Sequence, residues 1–221
     1  LRKMFKEACK KSRERRRQGF LDLFCGDQGI SKSITRHGFG VVSIDINLDS
    51  RLDLARKDIQ NLLLGWIRSG CVIGVWLATP GTTWCQARHG PVNSSWGPLR
   101  DSQHLFGLPD LKVHDRLKVK QGNQTALFTC KVIHACKQNS IPCILENPSS
   151  SMMWQIPFLV RLCSLSCSRC VHCDFCQFGA KWRKRTRVQG WFVQDCSLMN
   201  QCRQGRRSEE RRVGKECRSR W

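Results

Sequence analysis

The most constraining stretch of the 221 residues runs from Phe20 to Asp45. Phe20-Leu21-Asp22-Leu23-Phe24 is a short apolar run with the length of a buried parallel strand. It stops at Cys25-Gly26-Asp27-Gln28-Gly29, and Ile30 to Gly38 then carries helical spacing. A second apolar run, Val41-Val42-Ser43-Ile44, ends on Asp45. Strand, glycine turn, helix, strand and acid in that order predict a mostly parallel α/β sheet. The turn would let backbone amides approach a ligand at the helix N-terminus, and Asp45 would be placed to bind ribose hydroxyls. The pattern reads as a nucleoside-cofactor site, with a tight turn in an unrelated α/β protein as the alternative.

Two more runs extend the sheet. Cys71 to Ala78 predicts a third buried strand leading into Thr79-Pro80-Gly81. Ile141 to Leu145 predicts a fourth, ending in Glu146-Asn147-Pro148, with a helix over Thr125 to Lys137 before it. A Glu at the C-terminal end of a central strand is where such sheets put ligand chemistry, although a Glu capping the next turn would look the same. Gly90 to Arg100 reads as a long connection within the domain.

The formal net charge of +21 makes a polyanion, nucleic acid first, the expected partner. Membrane partners are not expected, since no stretch approaches the roughly 18 apolar residues of a spanning helix. No apolar segment follows the charged N-terminus, so no secretory signal is expected and the location is nuclear or cytoplasmic. The 15 cysteines, an odd number, then read as reduced thiols. Residues 1–18 read as a basic leader, a solvated helix or a phosphate-contacting arm, and 19–206 as one domain. Residues 207–221 (RSEERRVGKECRSRW) resemble the conceptual translation of a sequencing-library adapter and are set aside as non-native. Leu in place of an initiator Met suggests a fragment, and the adapter-like tail a truncated C-terminus.

Near the end, Cys163, Cys167, Cys170, Cys173 and Cys176 surround His172. CxxC spacing suits zinc, but overlapping steps over so short a span cannot all ligate one tetrahedral ion without sharp turns, so no metal is expected. Lys181 to Arg187 interleaves basic residues with Trp182, a composition suited to phosphate contacts and base stacking; a solvated basic strand is the alternative.

The run Leu21 to Gly26, with Gly29 and Ser31 after it, resembles the first motif of C5-cytosine DNA methyltransferases. The resemblance covers about residues 20 to 193 and is best to a compact, divergent branch. It implies a Rossmann-like class I methyltransferase fold with helices on both faces of the sheet, and S-adenosylmethionine as cofactor. It places Phe24, Gly26 and Gly29 along the methionine and ribose, Asp45 on the ribose and Asp58 on the adenine; Asp58 reads equally well as a helix cap.

Further matches are Gly97-Pro98-Leu99-Arg100 with Arg88 before it, Glu146-Asn147-Pro148 through Ser151 to Trp154, and Cys176-Gln177-Phe178-Gly179 ahead of Lys184-Arg185-Thr186. A Gly-Asn pair, Gly122-Asn123, has no assigned role. The resemblance implies that Glu146 engages cytosine N3 and its amino group, polarising the ring. Pro80, Asn147, Arg88, Lys184 and Arg185 would contact the substrate. Family members carry a Pro-Pro-Cys loop after the third strand, whose thiolate attacks C6 of cytosine. Here that cysteine position is Gly81. Cys85, followed by Gln86, echoes the family's Cys-Gln pair, but lies four residues on, while attack needs about 3–3.5 Å. Three functions follow: a methyltransferase acting on nucleic acid, at C5 of cytosine in DNA ahead of RNA; a catalytically impaired descendant that keeps the fold and the basic surface; or a basic nucleic-acid-binding module of a mobile element. No protein partner is inferable.

Overall fold

The protein is described by a computed structural model covering residues 1–11, 18–85, 97–179 and 184–194. Its short apolar runs form a six-stranded sheet. Strands β1 (Gly19–Leu23), β2 (Gly40–Ile44), β3 (Val72–Leu77) and β4 (Cys143–Pro148) are parallel. Strand β6 (Arg185–Trp191) runs antiparallel between β4 and β5 (Ser168–Asp174), giving the order β2-β1-β3-β4-β6-β5. The fold is therefore α/β with a mostly parallel sheet, as expected.

The helices are α1 (Arg2–Lys11), α2 (Gly29–Arg36), α3 (Lys57–Arg68), α4 (Val113–Gln138) and α5 (Pro157–Cys163). The crossover through α2 steps from β1 outward to β2, whereas those through α3 and α4 step the other way. Right-handed crossovers then put α2 on one face and α3 with α4 on the other, and α3 does pack on α4. Leu21, Leu23, Ile44, Leu77 and Leu145 of the strands are fully buried, with Leu63, Ile67 and Ile133 of the helices. Strands buried on both faces need near-continuous apolar sequence, which is what made them readable. No helix among the described residues is long and apolar enough to cross a membrane.

Three elements differ from the sequence reading. The stretch read as a basic leader begins with α1, which buries Phe5, Ala8 and Cys9 and stacks Phe5 on Trp66 of α3 at 4.0 Å. Helix α4 starts twelve residues before Thr125. Its early turns bury only Val119 between Val113 and Gln124, so they carry no apolar stripe to read. Strand β4 runs on to Pro148 because Glu146, Asn147 and Pro148 pair with Val188, Arg187 and Thr186 of the reversed β6. Its pairing with β3 ends at Leu77–Leu145, so the last three residues of β4 project beyond β3.

The chain leaves β1 toward β2 on one side, while β3 lies on the other. In open α/β sheets such a reversal marks a crevice beyond the C-terminal ends of the strands, here those of β1 and β3, where ligands are taken. Glu146 opens the projecting part of β4, a strand that lies two strand spacings from β1, or about 10 Å.

Candidate active site

One rim of the crevice is the turn after β1. Phe24, Gly26 and Gln28 all have positive φ (61°, 47° and 60°), a conformation that costs non-glycine residues energy and is held by surrounding bonds. Phe24 N–H donates to Ile44 O (2.8 Å), and Gly26 N–H donates to Asp45 Oδ2 (3.0 Å). Asp45 Oδ1 accepts from Asn47 N–H (2.8 Å), so one carboxylate ties the end of β2 to the glycine turn. Beneath it, buried Asp22 accepts from Ser31 N–H (3.0 Å) and Ser31 Oγ (2.5 Å), while its other oxygen has no partner. Burial pushes the Asp22 carboxyl above the ordinary range.

Helix α2 starts at Gln28 with no side-chain cap. Among the described residues no acceptor meets the amides of Gly29 and Ile30. A Cβ at Gly26 or Gly29 would meet nothing within 4 Å, so open space lies over both. This is a cradle with free donors at a helix N-terminus. Asp45 keeps acceptor capacity for hydroxyls, since an ionised carboxylate has about four lone-pair sites. The thiol of Cys25, in the same turn, is pushed up to about 12 by burial and by Asp22 and Asp45.

The second rim is the loop after β3. Thr79 Oγ1 shares a 2.6 Å hydrogen bond with Thr129 Oγ1 of α4, and Thr79 O accepts from Asn147 Nδ2 (2.6 Å). Pro80 is exposed, and Trp84 N–H donates to Gly81 O (2.9 Å), closing a turn over Gly81–Trp84. Trp84 is fully buried under the Arg100 guanidinium, 3.6 Å from the ring. Arg100 is itself 1% exposed and donates to Thr83 O, Thr83 Oγ1, Leu105 O, Val119 O and Asn123 Oδ1 at 2.6–3.2 Å. No carboxylate is among these partners, and burial pulls its pKa down to about 10.

Gly122 is the clearance for this lock: a Cβ there would lie 2.3 Å from Thr83 Oγ1. Asn123 adds a bond from Nδ2 to Phe106 O (2.8 Å). The Gly-Asn pair that had no role in the sequence thus fastens the loop after β3 to α4. Arg100 appeared there only as part of a motif match, because its partners are spread over many separate residues with no periodicity to read.

The third element is the projecting end of β4. Glu146 is nearly buried, and its Oε1 lies 3.4 Å from Lys184 Nζ without hydrogen-bond geometry. Lys184 also sits 4.9 Å from the centre of the Phe175 ring. Asn147 is 1% exposed, and its Oδ1 is buried with no hydrogen-bond partner. A Cβ on Gly81 would stand 3.4 Å from that Oδ1 and 3.6 Å from Pro148 Cδ. Position 81 therefore abuts Asn147. Cys85 is half-buried beyond the closed turn, where Trp84 O accepts from Met152 N–H (2.9 Å).

The structure thus gathers Phe24, Gly26, Gly29 and Asp45 at one rim, and Gly81, Glu146, Asn147 and Lys184 at the other. Asp58 lies on the first turn of α3, exposed and bonded through both oxygens to Arg56 (2.7 and 3.1 Å), which holds its carboxyl below the usual range. Arg185 is exposed at the start of β6, its carbonyl accepting from Ser149 N–H (3.0 Å). Arg88, residues 181–183 of the basic stretch and the adapter-like tail lie outside the described residues. Among the described residues no group of three or more His, Cys, Asp or Glu could hold a metal ion.

No protein-family profile matches the chain, and no curated protein is similar to it. Two solved structures are similar to it in fold. One is the S. pombe Dnmt2 methyltransferase, 11% identical, with 81% of this chain and 51% of that one covered at a TM-score of 0.41. The other is the Entamoeba histolytica methyltransferase EhMeth, 14% identical, with 85% and 57% covered at 0.42. The chain spans a little over half the length of the solved structures it matches.

Proposed function

We propose that this chain is an S-adenosylmethionine-dependent methyltransferase domain acting on nucleic acid, with C5 of cytosine in DNA as its target. The observation that carries the reading is the crevice itself. A braced glycine turn with open space above it follows β1, and a nearly buried Glu stands on the projecting end of β4, about two strand spacings along the sheet. The residues fit the cofactor: Gly26 and Gly29 leave room for it, the Gly29 and Ile30 amides offer donors, and Asp45 can accept from ribose hydroxyls. When bound, the cofactor supplies an electrophilic methyl group on a sulfonium. Asp58 keeps acceptor capacity for the adenine amine beside its two bonds to Arg56.

At the other rim the target base would be flipped out of its stack, past exposed Pro80. Glu146 holds a proton at cytosine N3 and accepts from the exocyclic amine, drawing electron density from the ring and rejecting thymine, which has no amine there. Entry of the base requires Lys184 to move from Glu146 toward the phosphates. Arg88 and Arg185 supply further backbone contacts, and the basic excess of the chain, which remains without the adapter-like tail, drives them.

A second reading is favoured by Gly81: the native chain binds cofactor and base but transfers no methyl group, because the residue abutting Asn147 has no nucleophile and Cys85 lies beyond the turn. One experiment addresses both readings: transfer of radiolabelled methyl from S-adenosylmethionine to cytosine-containing DNA. Transfer by the native chain, abolished in Glu146→Ala and Cys85→Ser, supports the first reading with Cys85 as nucleophile. Transfer only by Gly81→Cys supports the second. Transfer by neither, with no cofactor bound, overturns both and leaves a basic nucleic-acid-binding module.

A further inference from the structure

We propose that Cys170, with His172 as its base, is a thiol–disulfide exchange site on the edge strand β5 that takes a small anionic disulfide. Cys170 is exposed, and its Sγ lies 3.7 Å from His172 Nε2. Nδ1 of the same ring lies 3.1 Å from Ser149 Oγ. A thiol beside a base, with the base oriented by a third group, is the general arrangement of an assisted nucleophile. With Nδ1–H donating to Ser149 Oγ, the Nε2 lone pair faces the thiol. Residues 170 and 172 alternate with 171 along β5 and so share one face of the sheet.

Arg187 of β6 stands directly opposite His172, and Arg185 lies two residues before it. Burial first, then these two cations, lower the His172 pKa, which keeps the ring neutral with its lone pair free near pH 7. The same cations favour an anionic reactant at this edge. Cys170 is not isolated, because Cys163 of α5 is close enough to interact electrostatically with both Cys170 and Arg187. The cysteine-rich stretch that suggested a metal in the sequence thus presents an exposed thiol and its base.

The exchange balances without a further oxidant. Cys170 S–H gives its proton to His172 Nε2, and the thiolate attacks one sulfur of the small disulfide. The disulfide's S–S bond breaks as the Cys170 mixed disulfide forms, and the departing thiolate takes the proton back from His172 and leaves as a thiol.

The test is the rate at which the full chain reacts with dithiobis(nitrobenzoic acid), an anionic aromatic disulfide, with the modified peptides identified by mass spectrometry. Cys170 should be the fastest-labelled cysteine, and Cys170→Ser should remove the fast phase. His172→Asn, which keeps a donor for Ser149 Oγ but loses Nε2, should slow Cys170 by at least about tenfold. An unchanged Cys170 rate in His172→Asn would overturn the assignment. Should that variant misfold, the native chain decides alone: Cys170 must react faster in the folded protein than in urea, and an equal or slower rate overturns the proposal.

Discussion

The two rims of the crevice are braced to a similar degree but present different chemistry. After β1, Asp22 and Asp45 hold a turn with three positive φ angles, and the turn offers free amides beneath open space. After β3, a buried guanidinium with five hydrogen bonds and a stacked Trp holds the loop, yet the residue presented to Asn147 is Gly81. Scaffolding of a site and its reactive group are therefore separable. A loop can be held firmly in place while the residue it presents carries no side chain at all.

Four changes would break or sharpen this contrast. The largest effect is expected from Arg100→Ala, which leaves five acceptors without their donor, three of them in buried bonds, and unstacks Trp84. Unpaired buried polar groups cost about 1–3 kcal/mol each, and the sum, with partial relaxation, should reach about 3–5 kcal/mol in urea unfolding. A loss under about 1 kcal/mol would mean that the second rim is not braced as described. Next, Asp45→Ala leaves the Gly26 and Asn47 amides without their acceptor. Bonds to a charged group are worth about 1.5–3 kcal/mol, so calorimetry should find S-adenosylmethionine bound about 10- to 100-fold more weakly.

Gly81→Cys should by contrast change stability by less than about 1 kcal/mol, because its Cβ meets only ordinary contacts, and cofactor affinity should match the native chain. A large destabilisation would show that position 81 has no room for a thiol.

The smallest effect concerns Asp22. Its pKa is raised in the folded protein, chiefly by burial, so the stability it contributes is fully present below the ordinary carboxylate value. That stability is lost as pH rises from there through the raised value. Asp22→Asn should lack this decline, so unfolding measured across that window should show the native chain losing stability relative to the variant as pH rises. Parallel curves would contradict it.

What the sequence made legible follows from periodicity. Strands β1, β2 and β3 were readable to within about a residue or two because each is an apolar run bounded by turn residues. The shared end of the sheet at which Gly26 and Asp45 fall was readable because strand, turn and acid lie within one short βαβ unit, but the hydrogen bond between them was not. The rest depends on long-range contacts. Nothing around Arg100 announces that it will be buried against Thr83, Val119 and Asn123, and nothing in Lys184 announces that it will meet Glu146 rather than solvent. The early turns of α4 were lost because an exposed helix has no stripe. Cys85 draws attention in the sequence through its neighbour Gln86, while the contact of Gly81 with Asn147 joins residues far apart in the chain and has no local signal.

The central claim, that the turn after β1 holds S-adenosylmethionine, is tested most directly by calorimetric titration of that cofactor into the full chain and into Gly26→Val. Saturable one-site binding by the native chain, lost in the variant, is the predicted result. No binding by the native chain, or equal binding by both, would contradict it.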